Sequence, residues 1–161
     1  MTELASKEGQ RVPSVSWPMR VGEDWVNLSS DEVFNGRTVV LFSLPGAFTP
    51  TCSAAHLPGY VVLADEIKAK GIDAIVCLVV NDAFVMDAWG KAQNASELLM
   101  WGDGDGSFTK ALGLDVDTGA FGGLRSRRYA MVVDDGVVTL LNVEPPKTFE
   151  NSKAEVVLAV L

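Results

Sequence analysis

The chain has 161 residues, 48% of them apolar, which is the size and composition of one domain with a buried core. Its formal net charge of −8 excludes an ordinary nucleic-acid binder, because such proteins cluster lysine and arginine against phosphates. We therefore expect one domain over residues 1–161 that binds no nucleic acid.

No segment indicates export or a membrane. Residues 1–10 carry charges and no apolar core, unlike a signal peptide, and the longest apolar run, Ala74 to Val80, is too short to cross a bilayer. The two cysteines, Cys52 and Cys77, predict free thiols in a reducing compartment. We expect a cytoplasmic protein that does not bind membranes.

The first predicted elements are a short helix and a buried strand. Ser29 to Glu32 has the S-x-x-E spacing of a capping box, and Asn35-Gly36 is suited to end the helical turn. Thr38 to Leu44 is β-branched and apolar on both faces, which predicts a central strand covered by helices on both sides. Pro45-Gly46 ends that strand.

Two further helices and two strands follow. A helix is predicted from Thr51 to Lys70, with a kink or break at Pro58 and a stop at Gly71. The next elements are a strand over Ile72 to Val80, a helix over Ala83 to Asn94 capped by Asp82, and a short strand over Leu98 to Trp101.

The last third begins with a glycine-rich connection and ends with a hairpin and a helix. Seven glycines between Gly102 and Gly123, with one helical turn at Ser107 to Leu112, predict a long surface excursion. Asp134-Asp135-Gly136 is typical of a tight hairpin turn. The predicted elements around and after it are strands Arg127 to Val133 and Val137 to Val143, and a helix from a Ser152 cap to Leu161.

This order, β-α-β and then β-β-α, is the layout of the thioredoxin fold. We expect an α/β domain with a central mixed sheet and helices on both faces. Cys52 falls at the first strand-to-helix junction, at the carboxyl edge of the sheet where α/β proteins collect their sites.

A thiol in the first turn of a helix has a lowered pKa, because unpaired N–H groups and the helix dipole favour the thiolate. Complete ionisation at neutral pH increases the reactive fraction at most about 30-fold, or roughly 2 kcal/mol. Enzymes typically lower barriers by about 8 kcal/mol or more, so neighbours of Cys52 must contribute.

Three neighbours are candidates, each with a structural alternative. The hydroxyl of Thr49 is able to hold a substrate oxygen or to cap the helix. Pro45 either shields the sulfur from water or simply ends the strand. One of Arg127 and Arg128 is expected to face a thiolate, because an arginine on an apolar strand needs an anion; the strand's alternation leaves open which one.

The stretch PGAFTPTC, Pro45 to Cys52, resembles the P-x-x-x-T-x-x-C motif of the peroxiredoxins, and PGAFTPTCSAAHLPGY resembles their type II (type five) subfamily. The segments VNDAFV with Trp89, RSRRYAMVVDDGVV and LNVEP extend the resemblance from about Val39 to Pro145. The resemblance implies a thiol peroxidase that reduces hydrogen peroxide and organic hydroperoxides through a sulfenic acid on Cys52.

The resemblance also assigns the other site residues. Thr49 and the arginine before the strand's aromatic residue, Arg128 before Tyr129, would bind the two peroxide oxygens, and Arg127 would be a surface residue. Phe48 and Phe84 would form a homodimer surface.

Turnover needs a second thiol, and the sequence departs here from part of the family. Some relatives carry a resolving cysteine after the NVEP segment, where this chain has Lys147 to Lys153 and no cysteine. Cys77 falls within a predicted strand and reads as a buried hydrophobic residue. We expect an external thiol to resolve the sulfenic acid: glutathione with glutaredoxin, or thioredoxin.

Other functions fit less well. His56, four residues after Cys52, would suit a Cys-His hydrolase, but a cap, core or supporting role fits it better; one histidine and two separated cysteines predict no metal, and no cofactor is expected. A disulfide oxidoreductase would need C-x-x-C, where Thr49 stands in place of the first cysteine. The alternative that stays open is a thioredoxin-fold binding or chaperone module without chemistry.

Overall fold

The computed structural model describes residues 8–21 and 23–161, and of Arg20, Val21 and Cys52 only the backbone. The strands are β1 (Ser16–Val21), β2 (Asp24–Ser29), β3 (Thr38–Ser43), β4 (Ala74–Val79), β5 (Leu99–Gly102), β6 (Asp115–Asp117), β7 (Leu124–Ser126), β8 (Tyr129–Asp134) and β9 (Val137–Val143). The α-helices are α1 (Ser30–Phe34), α2 (Leu57–Lys68), α3 (Ala83–Ala92), α4 (Ser107–Leu112) and α5 (Ala154–Ala159).

The central sheet has five strands in the order β5-β4-β3-β8-β9. Strands β3, β4 and β5 pair in parallel, whereas β8 pairs antiparallel with both β3 and β9. This mixed sheet, with helices on its two faces, is the thioredoxin-like α/β fold that the sequence predicts.

Each face of the sheet buries its own apolar cluster, because successive side chains of a strand point to opposite faces. Val40 and Phe42 of β3 pack with residues of α2, α3 and α5, and the Phe42 ring stacks on Tyr60 with centroids 3.9 Å apart. Val39 and Leu41 pack on the other face with residues of β1, α1 and α4. This two-sided burial explains why β3 and β4 are apolar throughout.

Local signals placed several elements correctly. The Ser29 hydroxyl accepts the Glu32 N–H at the start of α1, and the Asp82 carboxylate accepts the Val85 N–H at the start of α3. The hairpin between β8 and β9 has positive φ angles at Asp135 (46°) and Gly136 (79°), as its sequence requires.

The helix that follows β3 contains an irregular turn. Helical structure begins at residue 50, Cys52–His56 forms a π-helical turn, and α2 continues to Lys68. Pro58, at the start of α2, has no N–H to donate to the carbonyl of Ala54, and the wider turn lies before it. The predicted break at Pro58 therefore takes the form of a π-helical turn.

The glycine-rich segment is not the surface excursion that the sequence predicts. The Asp103 carboxylate is fully buried and accepts hydrogen bonds from Trp17 Nε1, from the Phe108 and Thr109 amides and from the Thr109 hydroxyl. These bonds hold α4 against the sheet, with Phe108 and Leu112 in the core. Strands β6 and β7 pair antiparallel and close the segment.

One pair of strands was not predicted, and one predicted helix cap is wrong. The antiparallel pairing of β1 with β2 was not expected, because the β2 residues Asp24 to Asn27 are exposed and lack an apolar periodicity. Ser152 does not cap the last helix, whose N-cap is Lys153; its hydroxyl donates to the Glu144 carboxylate, a stronger acceptor than any backbone carbonyl.

Among the described residues no helix combines the length and the apolar content that crossing a bilayer requires.

Gly102 offers a test of the close packing at the carboxyl edge of the sheet. A Cβ at this position would lie 2.8 Å from the Asn81 carbonyl oxygen and 2.9 Å from the Asp82 carbonyl carbon, both backbone atoms. Gly102→Ala is therefore expected to lower the free energy of unfolding by about 1–3 kcal/mol. At Gly104 the nearest atom is 3.9 Å from the added Cβ.

Gly104→Ala is the matched control and should change stability by less than about 0.5 kcal/mol. Urea unfolding of both variants measures the difference. Equal stability of the two variants would contradict the close approach at Gly102.

Candidate active site

The loop after β3 is held by the ends of neighbouring elements. The Ala47 N–H donates to Asn81 Oδ1 at 2.9 Å, which ties the loop to the end of β4. Half-buried Pro45 follows the strand. Phe48 has a φ of 61°, unusual for a residue with a side chain, and its ring is 58% exposed. The loop therefore has a fixed conformation with one apolar side chain turned to solvent.

Thr49 immediately precedes the helix that carries Cys52. Its carbonyl accepts the Ser53 N–H at 2.9 Å, and its hydroxyl donates to the Gly46 carbonyl at 2.6 Å. A hydroxyl that donates in this way keeps lone pairs with which to accept another hydrogen bond. Cys52 follows in the π-helical turn, and the position of its side chain lies outside the described residues.

Arg128 reaches this helix from the other side of β3. The register pairs Ser43 with Tyr129, so Arg128, just before β8, lies at the edge where β3 ends. Its Nη1 lies 2.9 Å from Nδ1 of His56, one turn after Cys52. The helix after β3 and Arg128 thus meet at His56.

His56 is fully buried between two partners that determine its protonation. An arginine only donates, so Nδ1 must be the acceptor, and the proton is on Nε2, which donates to the Ser152 carbonyl at 3.2 Å. Burial and the nearby charge of Arg128 lower the pKa of His56 to about 3. A neutral imidazole with both nitrogens occupied cannot act as a general base, which excludes the hydrolase pairing with Cys52.

The hydrogen-bond chain continues to Glu144. Its carboxylate accepts from the hydroxyl of Ser152 at 2.7 Å and from the backbone N–H groups of Glu150, Asn151 and Ser152. Burial raises the pKa of Glu144, but these hydrogen bonds outweigh it and the pKa is lowered overall. The Glu144 amide also donates to the Arg128 carbonyl at 2.9 Å. Glu144 therefore fixes the residues on which His56 and Arg128 depend.

Phe149 completes the enclosure of these groups. Its ring centroid lies 4.9 Å from that of His56, and the Arg128 guanidinium carbon lies 5.6 Å from it. Packing on an aromatic face reduces the freedom of the guanidinium without competing for its hydrogen bonds.

Two more arginines lie at the site. A Cβ built on Gly46 would lie 3.2 Å from Arg125 Nη1, so Arg125 packs against the loop before Thr49. Arg127 is half-buried and not the surface residue that the resemblance implied. Arg125 was not among the predicted site residues, although RSRR places three arginines within four residues and so indicates a cationic site.

A cavity of about 480 Å³ opens beside these groups. Its lining includes Pro45, Thr51, Arg127, Arg128 and residues 144–149. Cys77, in contrast, lies within β4 and is fully buried, as the sequence predicts.

Comparisons with known proteins agree on one family. The Redoxin family profile matches residues 7–158. A peroxiredoxin of Synechocystis is 44% identical over 94% of this chain and 89% of its own length, and the hybrid peroxiredoxin hyPrx5 of Haemophilus influenzae is 43% identical over 98% and 67%. The crystal structure of reduced Prx3 from Vibrio vulnificus in complex with hydrogen peroxide is 60% identical, with a TM-score of 0.93, over 98% of this chain and 99% of that one.

The neutral state of His56 predicts a pH dependence of stability. The folded pKa of about 3 lies below the ordinary value of 6.5, so between these pH values the unfolded chain binds a proton that the folded chain does not. The contribution of neutral His56 to the free energy of unfolding is therefore fully present well above pH 6.5. It falls as the pH is lowered, by about 1.4 kcal/mol between pH 7.5 and 5.5.

Denaturant unfolding at these two pH values measures the effect, and His56 is the one histidine of the chain. His56→Asn, whose amide oxygen can replace Nδ1 as acceptor, should lack this dependence. The same loss of stability in the variant would show that His56 is not the group responsible.

Proposed function

This chain belongs to the Redoxin family and is a type II (type five) peroxiredoxin, a thiol-dependent peroxidase, and we propose that Cys52 is the thiol that reacts with the peroxide. The observation that carries the assignment of residues is the meeting of Arg128 with the helix of Cys52 through His56. A guanidinium held at that place is suited to stabilise charge that develops on a peroxide.

In the proposed reaction the thiolate of Cys52 attacks one oxygen of R–O–O–H. The O–O bond breaks, the S–O bond forms, and the second oxygen leaves as R–OH with a proton from solvent, giving Cys52–SOH. Thr49 accepts a hydrogen bond from the peroxide while its own proton is directed to Gly46, and Arg128 donates to the oxygens as the O–O bond lengthens. Pro45 borders the cavity and limits the access of water.

Hydrogen peroxide is the first substrate that we propose, because the Vibrio vulnificus relative at 60% identity is a complex with it. Organic hydroperoxides are proposed as well, since the cavity is much larger than hydrogen peroxide needs. We propose that an external thiol returns Cys52 to the reduced state: glutathione with glutaredoxin, or thioredoxin.

We also propose that the protein acts in the cytoplasm as a homodimer. Phe48 and Phe84 are 58% and 71% exposed, and Phe84 contacts Trp25 with ring centroids 4.9 Å apart. Exposed aromatic rings are typical of interfaces. Sedimentation equilibrium distinguishes a dimer from a monomer.

The cysteines give the first test of the proposed reaction. Cys52→Ser should abolish peroxide consumption with a thiol donor, because a serine hydroxyl is not ionised at neutral pH and cannot form a sulfenic acid. Cys77→Ser is the matched control and should slow turnover only partly, since Cys77 is buried in β4. Stopped-flow assays of peroxide loss measure both, and an active Cys52→Ser variant would refute the assignment.

Arg128 separates an enzyme from a binding or chaperone module with the same fold. Arg128→Gln should lower the rate constant for oxidation of Cys52 by about 10²–10³-fold, the range for loss of one transition-state donor. Arg11→Gln, at an exposed residue, is the control. Trapping of the sulfenic acid against time after one equivalent of peroxide gives the rate, and indifference to Arg128 would favour the binding module.

A further inference from the structure

The cavity beside Arg128 is larger than the first substrate requires. A water molecule occupies roughly 30 Å³ in the liquid, and hydrogen peroxide, with two heavy atoms, needs about twice that. The cavity has about 480 Å³, which falls within the range of sites for molecules of tens of atoms. A second and larger reactant therefore has room next to Thr51, the residue that precedes Cys52.

The cavity is cationic although the chain carries a net charge of −8. Arg127, Arg128 and Lys147 line it, and Glu144 is the acidic residue among the described lining groups. The Glu144 carboxylate is already occupied by the amides of the 150–152 segment and by Ser152. The positive charges of the lining thus exceed the negative charge, which favours a ligand that bears carboxylates.

Arg127 itself indicates a missing partner. Its Nε is buried and has no hydrogen-bond partner among the residues that the structure describes. Leaving a buried donor unsatisfied costs free energy. Arg127 also lines the cavity, where a carboxylate would pair with its guanidinium charge. Lys147, with a φ of 64°, is exposed at the rim of the same cavity. The two side chains offer separate contacts for a ligand with more than one carboxylate.

The reaction needs a thiol from another molecule. The chain has two cysteines, and Cys77 is fully buried in β4. A thiol that reaches Cys52 must therefore come from outside, and Thr51, the residue before Cys52, lines the cavity.

We propose that this cavity binds the resolving reductant, a small thiol that bears carboxylates, with Arg127 and Lys147 as the residues that recognise its anionic groups. The proposal rests on the proposed peroxidase function. In the first step R–SH reacts with Cys52–SOH, the S–S bond forms, the S–O bond breaks and water leaves, giving Cys52–S–S–R. A second R–SH then releases R–S–S–R and restores the Cys52 thiol, so two thiols are oxidised for one sulfenic acid reduced.

The test separates oxidation from reduction. The unsubstituted protein is oxidised with one equivalent of hydrogen peroxide and then mixed with glutathione, which has two carboxylates, or with glutathione diethyl ester, which has none. The return of the Cys52 thiol is followed by stopped flow. Glutathione should react about ten times faster than the ester, since only glutathione gains the contacts with Arg127 and Lys147.

Two variants locate the contacts. Arg127→Gln should lower the second-order rate constant for glutathione about tenfold and leave that for the diethyl ester unchanged. Lys147→Gly, which suits the positive φ at this position, should have a smaller effect in the same direction. Lys70→Gln, at an exposed lysine that does not line the cavity, is the control and should react like the unsubstituted protein.

The outcomes separate the site from the enzyme. A protein that peroxide does not oxidise at Cys52 refutes the peroxidase function and this site with it. With normal oxidation, the site alone is refuted in two cases. In the first, the rate constant for reduction by glutathione is the same in the Arg127 and Lys147 variants as in the unsubstituted protein. In the second, the variants lower the rate constants for glutathione and for its ester equally. In a further outcome, a carboxylate-bearing hydroperoxide oxidises the Arg127 and Lys147 variants more slowly than the unsubstituted protein, while glutathione reduces all of them at the same rate. That result would assign the cavity to the peroxide and also overturn the proposal.

Discussion

The hydrogen bond from Arg128 to a buried, neutral His56 is the interaction on which the site depends. A free arginine at the mouth of a cavity has many rotamers, and ordering it costs free energy that must be recovered elsewhere. Here Nδ1 of His56 accepts a hydrogen bond from the guanidinium, and the Phe149 ring restricts the guanidinium further. The charge is thus in place before a substrate arrives, which is what electrostatic catalysis requires.

The neutrality of His56 has its own supports, and they link distant parts of the chain. The Ser152 carbonyl takes the Nε2 proton, and Tyr60 donates to the same oxygen at 2.7 Å. Ser152 is in turn held by Glu144, whose amide bonds to the backbone of Arg128. Through these hydrogen bonds the residues after β9 hold Arg128, which precedes β8. A substitution in residues 144–152 therefore affects His56 and Arg128 even where the substituted residue contacts no substrate.

Sequence patterns predicted the parts of this molecule that local rules govern. Neighbouring residues alone predict the two apolar strands β3 and β4, the caps at Ser29 and Asp82, and the Asp135-Gly136 hairpin. The P-x-x-x-T-x-x-C motif indicates Cys52 as the reactive thiol. The bond between His56 and Arg128 joins residues 72 positions apart, and that between His56 and Ser152 joins residues 96 apart. No local pattern encodes such contacts. The burial of Asp103 was not predicted for a related reason. Its glycine-rich neighbours indicate a surface loop, whereas its carboxylate is buried by hydrogen bonds to Trp17 and α4.

Trp89 gives the molecule an optical probe of its own chemistry. Its indole Nε1 donates to the Ser53 hydroxyl at 3.1 Å, one residue after Cys52, and its ring lies 6.3 Å from that of Phe48. Trp17 and Trp101 lie together in the apolar cluster of the opposite face. Indole fluorescence responds to hydrogen bonding and to the polarity around the ring. A displacement of the first helical turn would therefore change the emission of Trp89 and leave that of Trp17 and Trp101 unchanged.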